Sequence, residues 1–141
     1  MTRQAVVIDT NVVVAGLITS DAGSPVSRIL DGMLAAAFPF VLSEALIAEY
    51  RAVPRRPKLR KLHGLNDDEL DEILVDLVQH AIVLDPAAAT ARAPDPGDQL
   101  LWDLLEARDD ILLVTGEQRL LRDAGMRGRV VSPREFTQSG G

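Results

Sequence analysis

The stretch Val6-Val7-Ile8-Asp9-Thr10-Asn11-Val12-Val13-Val14 sets an acid and an amide at the end of a wholly apolar run. Such a run reads as a central strand buried on both faces, as in a parallel sheet. A carboxylate there is costly unless a metal ion, a cation or a hydrogen-bond network compensates it. In open α/β sheets, ligands gather just beyond the carboxyl ends of the strands. Asp9 is therefore a site candidate, against the plainer reading in which it caps a turn or the next helix.

The rest of the chain alternates strand-like and helix-like stretches, with no repeat and no low-complexity block. Ala5–Ile8 is the first strand. Ser24-Pro25 supplies an N-cap and a proline at the first helical position, opening a helix to about Ala36. Pro39–Leu42 is a second strand, after which Ser43 caps a helix carrying Leu46, Ile47, Glu49 and Tyr50. Pro54 and Pro57 end that helix and lead into a basic stretch. Asn66-Asp67-Asp68-Glu69 has the form of a capping box for a helix to about Gln79. Ile82–Leu84 is a third strand, and Ala87–Ala93 fits either a short helix or a loop. Asp95-Pro96-Gly97-Asp98 is a turn feeding a helix through Leu100, Leu101, Leu104 and Leu105. Ile111–Val114 is a strand, Thr115-Gly116 turns into a helix from Glu117 to about Asp123, and Val130-Val131 is a last strand. Ser132-Pro133 opens a final helical turn. This order implies one α/β domain over residues 1–136, with a mainly parallel twisted sheet covered by helices on both sides, and a flexible tail at 137–141.

At 141 residues, 47% hydrophobic and 26% charged, the chain can bury a real core. With no cysteine, disulfides and thiolate metal sites are excluded, so a metal would be held by oxygen or by His63 and His80. No segment reaches the ~20 apolar residues that span a bilayer, and no signal-peptide layout is present, so the expected address is cytoplasmic. The net charge of -6 and pI near 4.8 argue against a general nucleic-acid binder. A local excess runs the other way: Arg51, Arg55, Arg56, Lys58, Arg60 and Lys61 lie close together with no acid among them. The cluster is either a solvated face or a phosphate-binding patch.

Two strands end in polar residues that an ordinary core does not require, one in Asp9-Thr10-Asn11 and the other in Thr115-Gly116-Glu117. If the strands are neighbours, Asp9 and Glu117 meet at one sheet edge. Asp98 falls in the first turn of its helix, where the dipole favours a carboxylate, and capping alone would explain it. Glu49 shares an inward helical face with Leu46; it needs a partner there, unless Arg51 or a turn toward solvent makes it structural. Converging carboxylates repel one another and ask for a divalent cation, and oxygen ligands suit Mg²⁺ or Mn²⁺. Such a site can activate water for in-line attack on a phosphodiester.

Val7-Ile8-Asp9-Thr10-Asn11-Val12, Leu42-Ser43 with Glu49 downstream, Asp95-Pro96-Gly97-Asp98, and Val114-Thr115-Gly116-Glu117 with Leu120-Leu121 resemble the PIN domain family. The likeness is closest to its VapC-like branch, the toxin components of toxin–antitoxin systems, and it covers nearly the whole chain. It implies a three-layer α/β/α sandwich and metal-dependent ribonuclease activity. By the same resemblance, Asp9, Glu49 and Asp98 match the family's three main acidic positions. Thr10, Asn11, Ser43 and Thr115 match polar positions that line or orient the site. Glu117 stands where the family usually has aspartate or asparagine, one methylene shorter. The resemblance also implies Mg²⁺ or Mn²⁺ as cofactor, single-stranded RNA as substrate, a small antitoxin covering the active site, and a homodimer.

Two other readings stand beside it. An aspartate after the first strand of a doubly wound sheet also serves aspartyl-phosphate phosphotransferases and receiver domains. Those need a late lysine, whereas Lys58 and Lys61 are the only lysines here. The second is a catalytically weak PIN-like module that binds RNA or protein, with Glu117 marking the loss of activity.

Overall fold

The computed structural model describes residues 4–126 and 128–139. Strand β1 (Val6–Ile8) is wholly buried. The chain then turns at Asp9 into α1 (Thr10–Ile18). Val12, Val13 and Val14 therefore belong to a helix and do not extend the strand, against the preference of β-branched residues. Tertiary burial overrides that preference: all three valines are buried, and an almost wholly apolar helix is stable only inside a core. Helix α2 (Pro25–Leu34) packs against α1, with Ser24 capping it by accepting from the Ser27 amide. The contact is close, because a Cβ on Gly16 would stand 2.9 Å from the Val26 carbonyl oxygen.

Strand β2 (Val41–Leu42) leads to α3 (Glu44–Ala52), which Ser43 caps by accepting from the Leu46 amide at 3.2 Å. A short 3₁₀ turn over Val53–Arg55 follows. The basic stretch then forms a helix of its own, α4 (Pro57–His63), closed by Gly64 in the left-handed conformation at φ 69°. In α5 (Asp67–His80) both reciprocal bonds of the Asn66–Glu69 capping box are formed. Helix α5 packs on α2 and α3. Strand β3 (Ile82–Val83) is followed by loop over Ala87–Ala93 and by a 3₁₀ turn at Pro96–Asp98. Helix α6 (Gln99–Ala107) buries Leu101, Trp102, Leu104 and Leu105. Strand β4 (Leu112–Val114), α7 (Gln118–Leu121), β5 (Val130–Val131) and α8 (Pro133–Gln138) complete the chain. Thr137 and Gln138 lie within α8, and Thr137 is buried; Gly140 and Gly141 lie outside the described residues.

All strand pairs are parallel: β1 with β4, β4 with β5, and β2 with β3, while a parallel bridge between Val6 and Phe40 joins the two groups. The order β3-β2-β1-β4-β5 follows. The chain winds to one side of β1 and then crosses back to the other, so the winding direction reverses between β1 and β4. In α/β sheets that reversal opens a crevice at the carboxyl ends of the two strands. The register pairs Ile8 with Val114, which sets Asp9 and Thr115 side by side at its mouth. Among the described residues, no helix is long and apolar enough to cross a membrane.

Candidate active site

Asp9 and Asp98 both stand at helix N-caps, yet neither makes a side-chain capping bond. The capping reading is therefore set aside for both. Asp9 Oδ2 instead accepts from the Thr115 hydroxyl at 2.7 Å and from Asn11 Nδ2 at 3.3 Å. Thr115 Oγ1 in turn accepts from the Glu117 amide at 3.0 Å, and Asn11 Oδ1 accepts from the Gly116 amide at 3.3 Å. These bonds tie the end of β1 to the end of β4. Asp98 is left free because Asp95 caps the preceding turn, accepting from the Gly97 amide at 2.7 Å.

Glu49 has the partner its position requires. The Thr10 hydroxyl donates to Glu49 Oε1 at 2.8 Å, linking α3 to the first residue of α1. Tyr50, next along α3, donates its phenol to the Ile8 carbonyl at 2.5 Å and fixes α3 over the strand end. Burial raises the Tyr50 phenol well above its usual range, with Asp9 and Glu49 adding to the shift, so this donor keeps its proton.

A cleft of about 430 Å³ opens here, lined by Asp9, Thr10, Asn11, Asp98 and Glu117, with Val14, Ile18, Val53 and Leu59 among its apolar walls. Asp9 is pushed up to about 6, chiefly by burial; the Asp98 and Glu49 charges add to this and the Thr115 bond opposes it. Asp98 is also raised, by partial burial first and then by Asp95, Glu117 and Glu49. The cleft thus holds more negative charge than its surroundings compensate.

The donor set suits a hard divalent ion, being carboxylate oxygen throughout. Among the described residues, however, no three acidic or imidazole side chains form a ready-made metal cage. His63 is spent structurally: Nε2 contacts the Pro54 carbonyl at 2.8 Å and Nδ1 accepts from the Leu65 amide at 2.9 Å.

Other expected residues are placed differently. Ser43 does not line the cleft; it acts at a distance, capping the helix that carries Glu49. Arg55 pairs with Asp67 and with Asp71, and Arg60 pairs with Asp67, so two of the six basic residues tie the 3₁₀ turn and α4 to the start of α5. Arg51, Arg56, Lys58 and Lys61 remain exposed, and Leu59 of the same helix α4 lines the cleft. Arg119 was not legible as a site residue. Its guanidinium lies 3.3 Å from Glu117 and 3.6 Å from Asp95. An arginine two positions after the acid reads as ordinary surface in sequence, and only the fold brings Asp95 to it.

The PIN domain family model matches residues 5–119, a span that includes Asp9, Glu49, Asp98 and Glu117. The chain belongs to the PIN domain family. A search of curated proteins finds no match. PIN domains are in general nucleases, and they generally use divalent metal ions. The parallel sheet with helices on both faces is the PIN-like sandwich, with its acids at the crevice between β1 and β4.

Proposed function

We propose that this PIN domain is an endoribonuclease that cleaves single-stranded RNA with Mg²⁺ or Mn²⁺, and that it is the toxin of a toxin–antitoxin pair in the cytoplasm. One observation carries the catalytic half. Asp9 is buried, hydrogen-bonded by Thr115 and Asn11 but with no cation paired to it among the described residues, at the mouth of a cleft it shares with Asp98 and Glu117. Asp9 and Asp98 would hold the ion, which when bound supplies an activated water and neutralises charge on the scissile phosphate. Thr115 and Asn11 orient the Asp9 carboxylate, and Thr10 orients Glu49. Asn11 is exposed at the rim, where its amide can also reach a phosphate oxygen. The exposed cations around α4 draw in the RNA backbone, giving salt-sensitive binding.

The phosphotransferase reading gains no support from the fold. Asp9 already accepts from two side chains, and both lysines sit on α4. The reading as a weakly active binding module has one observation in its favour, the engagement of Glu117 by Arg119. A quenched fluorescent RNA strand separates the cases. The wild-type protein should cleave it with Mg²⁺ and not with EDTA, and Asp98→Asn should cut the rate by about 10²-fold or more, in line with losing one electrostatic stabiliser. Equal rates in Asp98→Asn and wild type would end the assignment. For the toxin half, induced expression should arrest growth in a manner that Asp98→Asn abolishes.

A further inference from the structure

Arg119 belongs to α7, and Glu117 occupies the N-cap of that helix without making a capping bond. Glu117 Oε1 turns instead to Arg119 Nε, which donates at 3.3 Å. The other arm of the guanidinium lies 3.6 Å from Asp95 Oδ2, while Asp95 Oδ1 accepts from Gly97. One side chain thus bridges the loop after β4 and the turn that delivers Asp98. The extra methylene of glutamate at 117 lets the carboxylate extend toward this guanidinium.

We propose that Arg119, seated beside the cleft on Asp95 and on the cleft residue Glu117, withholds the Glu117 carboxylate from metal, so that a single divalent ion binds, at Asp9 and Asp98. The inference rests on the metal-dependent reading above. Two-metal phosphodiester sites place their ions about 3.5–4 Å apart, and a second ion here would need the carboxylate of Glu117. That carboxylate already faces a guanidinium that cannot lose its proton. Arg119 also opposes the crowding of negative charge at Asp98, where it acts against Asp95, Glu117 and Glu49. The side chain of Arg119 is 60% exposed and its partners are 38% and 43% exposed, so the bridge contributes little to folding. Its effect falls on how many ions the cleft accepts.

Calorimetric titration of Mn²⁺ into metal-free protein tests this without reference to activity. Wild type and Arg119→Lys should each take up one ion per chain. Arg119→Ala and Arg119→Gln should take up two, and adding Glu117→Gln to Arg119→Ala should return the count to one. Removing the positive charge should also tighten the first ion by about tenfold. Two ions in wild type, or one ion with unchanged affinity in both neutral variants, would overturn the proposal. No uptake by wild type is a different result, and it removes the metal-dependent reading itself.

Discussion

Replacing Asp9 by asparagine should remove a pH dependence of stability that the cleft imposes on the metal-free protein. The carboxyl moves from an ordinary value of 3.8 to about 6, chiefly by burial, and the residue is only 6% exposed. Protonation is therefore favoured in the folded state relative to the unfolded one. The sign follows: the added stability is fully present below pH 3.8 and is lost as pH rises through about 6. The whole effect is about 3 kcal/mol, of which about 2 kcal/mol falls between pH 4.5 and 7.5. For a chain of this size that is roughly 6–10 °C in melting temperature. Asparagine keeps the shape and an oxygen to accept from Thr115, but it carries no charge. Thermal or urea unfolding in EDTA should show Asp9→Asn about equal to wild type at pH 4.5 and more stable by about 2 kcal/mol at pH 7.5. Comparing the two proteins cancels the titration of the surface acids. Millimolar Mn²⁺ should reverse the order at pH 7.5, because only the wild type gains the ion's binding energy. Parallel pH profiles in EDTA would refute the reasoning.

Three further outcomes are expected. Gly16→Ala should destabilise the protein by about 1–3 kcal/mol in urea titration, because the new methyl meets the Val26 backbone oxygen and Leu30 Cβ, 2.9 and 3.0 Å away. Lys58→Glu with Lys61→Glu should weaken single-stranded RNA binding and flatten its salt dependence by about one to two in log–log slope, with the urea midpoint little changed. Arg55→Ala should instead lower the midpoint, since Arg55 ties the 3₁₀ turn before α4 to both Asp67 and Asp71 of α5.

The parts of the fold set by local rules could be read from the sequence. Ser24-Pro25, Ser43, Asn66 with Glu69, and Ser132 with Pro133 each open a helix where cap chemistry places one, and the four strands beyond β1 fall where apolar runs predict them. Helix α1 was not legible, because Val12-Val13-Val14 has strand preference and only packing on α2 decides against it. Asp9 and Glu117 were legible as polar residues at strand ends, and Asp98 as an acid in the first turn of a helix. Their partners were less so: the Thr10–Glu49 bond spans 39 residues, and the Arg60–Asp67 pair depends on the bend at Gly64. The basic run read as one patch, yet it divides into braces and exposed cations only once Asp67 and Asp71 at the start of α5 reach Arg55 and Arg60.

The bond between Thr115 and Asp9 joins groups 106 residues apart, whereas Asn11, the other side-chain donor to the Asp9 carboxylate, lies two residues away. Such long-range closure is slow to form and comes late in folding. During synthesis, a ribosome-bound chain carries Asp9 before β4, and the Thr115 bond cannot form until β4 has left the exit tunnel and slid in beside β1. A fragment that stops before Thr115 leaves Asp9 without its principal donor. Assembly order alone thus delays completion of the site in a nascent chain.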